Sequence, residues 1–361
     1  MGMRSFFLLF VACLLPGCVT RLGPRTVVPA RFDYNQAIAQ SNDEQMLLNL
    51  VRLRYRDTPQ FLSVSSVLSQ YSLEGSASAS AEGNGERIWS LGTGISYGER
   101  PTITYTPLQG EEFARRMLTP IAPEALILLA QSGWSIERLA QCCVEQINAL
   151  RNVPSAFGPT PVEVPRFEEF RRFSRGLQEL QDVGLIDLVL EITGSGSADE
   201  RQETWMYVQT QPPPEWAERV AETRRLLGLP ADVSRFRLSA CASGESNEIS
   251  IRSRSIFGML FYLSQAVEVP PVHEAEGKVT GPPVAAGGEL DWFEATGHIF
   301  RIRSQSAPPA GAFVAVRYRE HWFYIADDDL ESKTTFSLIN LLFAQQAAPS
   351  VAFSPLVTVG T

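Results

Sequence analysis

The chain has 361 residues, with 31 basic against 40 acidic side chains and a formal net charge of −9. That acidic balance argues against nucleic acid and against anionic lipid headgroups as partners. With 44% hydrophobic residues the chain can bury a substantial core in about two domains, yet no stretch reaches the eighteen apolar residues of a membrane-crossing helix.

Residues 1–17 read as a signal peptide: Arg4 supplies a positive start and Phe6–Leu15 is an apolar run too short to span a bilayer. Leu15-Pro16-Gly17-Cys18 resembles a bacterial lipobox, with Pro16 as its departure from the usual pattern. The resemblance implies lipidation of Cys18, and Val19 in place of Asp implies the outer membrane, with the body in the periplasm. Residues 18–40 then read as a polar tether containing Pro24 and Pro29. Cys142, Cys143 and Cys241 remain, an odd number for an oxidising compartment, which suits one disulfide plus a buried thiol.

Residues 41–152 read as helices carrying a β-hairpin. Ser41 with Glu44 forms a capping-box pattern, followed by apolar Leu47, Leu50, Val51 and Leu53 and closed by Pro59. From 71 to 106 the pattern changes to strict alternation. The odd positions Tyr71, Leu73, Ala77, Ala79 and Ala81 are apolar or aromatic, and the even ones are Ser or Glu. The second arm places Trp89, Leu91, Ile95 and Tyr97 on its odd face. A three-residue loop at Asn84-Gly85-Glu86 pairs Ala81 with Trp89, Ala79 with Leu91 and Leu73 with Tyr97, so both arms point their apolar residues the same way. Aromatic residues bracket this face over roughly 20 Å after tilting, near the ~25 Å apolar band of a membrane barrel. Two strands cannot close a barrel, so insertion demands several copies. The same alternation also suits a soluble hairpin whose small face packs on a helix.

Further on, 110–118, 123–131 and 135–150 read as helices, the last with Ile136, Leu139, Ala140, Cys143, Val144 and Ile147 on one face and Cys142 off it. The prolines of 153–165 suggest a domain boundary. Residues 166–267 read as an α+β domain with strands at 185–193, 203–210, 235–241 and 247–253. Residues 268–290 read as a loop or linker. The stretch 291–361 reads as a subdomain: strands at 297–304, 312–319 and 322–326, a turn at Glu320-His321, an apolar helix over 329–346 and a short strand at 355–359. The expected fold class is therefore α+β, a helical N-terminal region with a long amphipathic hairpin followed by a sheet domain.

No nucleophile–base motif, phosphate loop or metal-ligand spacing is present. Asp291, Glu294 and His298 surround a strand start without ligand spacing, and Asp327-Asp328-Asp329 reads as a helix start with Asp328 and Glu331. The reading is non-enzymatic, with no cofactor and no metal. The segments FDYNQAIAQSNDEQMLLNLVRLRYRDTPQFL, ERPTITYTPLQGEEFARRML and SKTTFSLINLLFAQQ resemble those of uncharacterised proteobacterial lipoproteins. The plan of a lipidated body with a Gly/Ser-rich hairpin is similar to the curli secretion lipoprotein, without a shared motif. Together these readings give an outer-membrane lipoprotein that acts as a homo-oligomer, inserting its hairpins into a pore or secretion ring. The alternative is a monomeric scaffold that recruits an envelope protein through 268–290.

Overall fold

Two kinds of residue pattern, alternating strands and helices with one apolar face, build a six-stranded and a three-stranded sheet, a long two-stranded ribbon, a short two-stranded pair and the helices around them in this computed structural model. It describes residues 22–83, 87–153, 167–193, 201–241, 245–279, 284–285, 288–289 and 292–347. The signal peptide, Cys18, the hairpin loop 84–86, Asp291 and the strand expected at 355–359 lie outside the described residues. The fold class is α+β. The chain divides into two units, residues 1–45 and 46–361.

Helix α1, Leu22–Arg54, begins in the first unit, where Gln40 bonds Glu44 and Phe32 is exposed. Helical backbone from Leu22 replaces most of the expected tether, and Ser41 lies inside the helix rather than capping it. In the second unit Met46, Leu47, Leu50, Val51 and Leu53 of α1 enter the core. The helix ends in a Schellman turn: Arg56 N–H donates to Leu53 O, Asp57 N–H donates to Arg52 O, and Arg56 takes φ 60°.

The ribbon follows as β1, Leu62–Gly83, and β2, Arg87–Pro107. Its register pairs Ala81 with Trp89, Ala79 with Leu91 and Leu73 with Tyr97, as the three-residue loop requires. Neither strand pairs with any other described strand.

Next come α2, Glu111–Leu118; α3, Pro123–Gln131; α4, Ile136–Cys143; β3, Val144–Ile147; and β4, Leu150–Arg151. Then follow α5, Phe167–Asp182; β5, Ile186–Thr193; β6, Arg201–Val208; α6, Ala217–Leu227; β7, Arg235–Ser239; and β8, Glu248–Ser253. The sheet order is β4-β3-β8-β7-β6-β5, antiparallel except for β7–β8. Because β3 and β4 precede residues 153–165 and β5–β8 follow them, the sheet crosses the expected domain boundary. The backbone bonds of β3 to β8 make one structure of the two sides.

The helix expected over 135–150 stops at Cys143 for a related reason. Arg254 donates from one guanidinium nitrogen to the carbonyls of Gln141 (3.0 Å), Cys142 (3.0 Å) and Val144 (2.9 Å), and from the other to Val153 O. Asn152 adds bonds to Gln141 O and Val144 O. These donors satisfy carbonyls that a helix end leaves without partners. Cys142 is buried here as fully as Cys143, contrary to its place on the helical wheel.

The remaining elements are α7, Ile256–Ser264; α8, Pro271–Ala275; β9, Val284–Ala285; β10, Gly288–Glu289; α9, Trp292–Thr296; β11, Arg303–Gln305; β12, Ala312–Tyr318; β13, His321–Ala326; and α10, Leu330–Ala347. Helix α8 stands within the expected linker and buries His273. The strand expected from 297 is reduced to three residues, because α9 and a turn occupy the chain up to Phe300. Strands β11-β13-β12 form a second sheet. The N-cap of α10 is Asp329, one residue after Asp328: it accepts from Ser332 N–H (3.0 Å) and Ser332 Oγ (2.8 Å). Phe336, Leu338, Ile339 and Leu342 of α10 join a hydrophobic cluster that also contains Leu47, Phe61, Phe236 and Phe323.

Candidate functional site: a rooted β-ribbon

The ribbon is anchored through the short link that separates it from α1. Gln60 N–H donates to Asn49 Oδ1 (2.8 Å), and Asn49 Nδ2 donates back to Gln60 O (2.7 Å), a closed pair of bonds from α1 to the link. Phe61 is 4% exposed; its ring lies 4.6 Å from that of Phe343 on α10 and 6.1 Å from that of Phe113 on α2. The returning strand is tied at the same level, where Leu108 N–H donates to Phe61 O (2.9 Å). Earlier in the link, Asp57 accepts from the Tyr318 hydroxyl and from Arg319 (2.8 Å).

The turn that supplies Arg319 is itself unusual. Tyr318 pairs with His321, so Arg319-Glu320, rather than the expected Glu320-His321, forms the two-residue loop, with φ 45° and 69°. These are left-handed conformations usually left to Gly, Asn or Asp. The Asp57 contact and the guanidinium stacked 4.9 Å from the Tyr55 ring hold Arg319 there.

Above the root, a β-bulge changes what the alternation means. Val64 pairs with Tyr105, but Ser66 pairs with Thr104 and Val67 with Ile103, so Ser65 is the extra residue. Its hydroxyl donates to Thr104 O (3.1 Å). Without the bulge, the even residues Leu62 and Val64 would fall on the opposite face from Val67, Tyr71 and Leu73. With it, Leu62, Val64 and Val67 share one face with Tyr105 and Ile103, and the same register runs on through the partners Leu73–Tyr97, Ala79–Leu91 and Ala81–Trp89. Between the ribbon's lower and upper parts the register places Tyr71 against Glu99 and Ser69 against Pro101. At the lower end Leu62, Ile103 and Tyr105 are 45%, 40% and 55% exposed.

Other places where chemistry could reside are occupied by structural roles. His298 Nε2 lies 2.6 Å from Gln141 Oε1, and its pKa is pushed down to about 4 by burial and by Arg171, Arg175 and Arg138. Lys333 pairs with Asp327, and Asp329 caps α10. Burial pushes the Cys142 thiol up to about 12 and that of Cys143 well above its ordinary range, which makes both poor nucleophiles. Cys142, Cys143 and Cys241 are all free thiols, so the expected disulfide is not formed. Among the described residues no group of three His, Cys, Asp or Glu is placed to hold a metal ion. A cavity of about 70 Å³ between helices α3–α6 and the large sheet is lined only by apolar residues, among them Leu126, Leu139, Phe173 and Met206. It offers nothing to orient a polar substrate.

The alternation and the aromatic positions were readable in the sequence; the bulge and the root were not. Two adjacent serines with valines on either side, Val64-Ser65-Ser66-Val67, are the trace that the bulge leaves. Compared with models of protein families, with curated proteins and with solved structures, the chain matches none.

Proposed function

We propose that the protein is a non-enzymatic lipoprotein of the outer membrane that acts by assembly, its copies contributing their ribbons to a closed barrel that forms a pore or secretion ring. The observation that carries this reading is a 22-residue strand paired along its length with only one partner, firmly rooted, and apolar along one face. At about 3.3 Å per residue such a ribbon extends roughly 70 Å, nearly three times the ~25 Å apolar band of a membrane barrel. An isolated two-strand ribbon is marginal in water, and its long outer edges are templates for further pairing. Antiparallel pairing of β1 of one copy with β2 of the next satisfies both edges, and closure removes them. Each copy adds two strands, which gives the even strand number usual for such barrels.

In this reading the part bracketed by Trp89 and Tyr97 meets lipid and the Ser/Gly face lines the lumen. The exposed Leu62, Ile103 and Tyr105 lie below the lipid band, where neighbouring copies cover them. Cys18, through its lipid, holds the body at the membrane. The test is imaging of particles extracted in mild detergent. Rings of several copies with a protruding barrel are expected. A population of single copies would overturn the reading and favour a monomeric scaffold that recruits an envelope protein.

A further inference from the structure

The link into the ribbon passes through a cluster of titratable groups that the assembly just proposed does not use. The Tyr55 hydroxyl and His273 Nδ1 are hydrogen-bonded at 2.7 Å. His273 lies on α8 and is 3% exposed. Its ring stands edge-on to that of His321, centroids 4.9 Å apart, and edge-on to that of Tyr55 at 5.6 Å. His321 begins β13, immediately after the left-handed turn whose Arg319 holds Asp57. Three separate parts of the chain thus meet at one pair of imidazoles: the helix end that leads into the ribbon, α8, and the β12–β13 turn.

We infer that Tyr55, His273 and His321 form a proton-operated latch on the ribbon root, closed while the His273 imidazole is neutral and loosened when it takes up a proton. In the tautomer whose Nδ1 accepts from Tyr55, an added proton arrives on Nδ1, so that bond must reverse or break. The new charge is enclosed among few compensating groups. From the β12–β13 turn it faces His321 and Arg319; from its own side it faces Lys278, with Glu276 opposing; from the link comes Tyr55. Burial lowers the pKa of His273 first, and Lys278, His321 and Arg319 lower it further. A folded value below the ordinary 6.5 means that the contribution of the latch is complete above that pH and is lost as pH falls through it. Two root anchors, Asn49 with Gln60 and Phe61 with Phe343, contain no titratable group, so acid loosens Tyr55 and α8 while these two still hold the ribbon.

The device is tested by amide hydrogen exchange on the full chain in detergent at about pH 7.5 and about pH 5, corrected for intrinsic rates. The reporting amides are Asp57, which donates to Arg52 O, and Lys278, which donates to His273 O; Gln60 and Leu108 are internal controls. Protection at the reporters is expected to fall in acid while the controls hold. His273→Gln should abolish the difference, and His321→Asn, at a less buried ring, should shrink it without threatening the fold. A flat wild-type profile, loss of protection at the controls as well, or an undiminished fall in both variants would overturn the inference. None of these readouts depends on ring formation, so the latch can fail while the assembly stands, and the reverse.

Discussion

Ala77 lies at the centre of the stretch proposed to meet lipid. It pairs with Thr93, four residues from the Leu73–Tyr97 pair on one side and four from the Ala81–Trp89 pair on the other. Four steps at about 3.3 Å, tilted by about 40°, put it roughly 10 Å from either aromatic level, at the bilayer midplane. Arginine on the lipid face at that depth costs about 2–4 kcal/mol, a factor of roughly 30 to 800 in the inserted fraction of each ribbon. Ser76, its neighbour in sequence, pairs with Gly94 and alternates to the opposite face, the one proposed to line the lumen, where arginine would meet water. Ala77→Arg should therefore abolish recovery of assembled particles from membranes, and Ser76→Arg should leave it within a few-fold of wild type. The assay is the fraction of protein in the large species after mild-detergent extraction, with lipidation at Cys18 verified by mass. Equal tolerance of the two substitutions would refute the assignment of faces, and equal loss would indicate a general packing defect.

Three further outcomes follow from the body of the protein. Phe61→Ala removes a buried ring from between Phe113 and Phe343 and should destabilise the fold by about 3–5 kcal/mol, read from denaturant midpoints. Arg254→Met fills similar space but withdraws the donors from four buried carbonyls; a loss of about 3–5 kcal/mol is expected, and a neutral result would show that Asn152 suffices to end α4. His298, its pKa lowered to about 4 by burial and three arginines, favours the fold fully above pH 6.5 and progressively less as pH falls towards 4. His298→Asn should flatten that part of the Tm-versus-pH curve, and an unchanged slope would contradict the assignment.

Much of the ribbon was legible in the sequence because its determinants are local. Side chains alternate with period two, and residues paired across a ladder share a face, so a single loop length reconciled Ala79 with Leu91 and Leu73 with Tyr97. Helix α3 was legible for a similar reason: Pro123 begins it, and Ser132-Gly133 follows it at once. The capping pattern at Ser41 misled because a cap residue is tolerated inside a helix whose neighbours also favour one. The end of α4 was hidden for a different reason. Ile136, Leu139, Ala140, Cys143, Val144 and Ile147 are all buried, as an apolar helical face would be, yet the last two belong to a strand. Arg254, more than a hundred residues away, supplies the hydrogen bonds that make stopping there possible, and β8 supplies a ladder for the chain to join.

Local periodicity, then, determined the ribbon, its pairing and most of the helices, since each follows from backbone geometry within a few residues. Tertiary structure alone decided that one sheet crosses the proline-rich stretch, that Ser65 bulges so the apolar face reaches the root, and that Tyr55, His273 and His321 meet. Those outcomes depend on which distant groups satisfy a given carbonyl, strand edge or imidazole, and no local pattern encodes the identity of a partner that far along the chain.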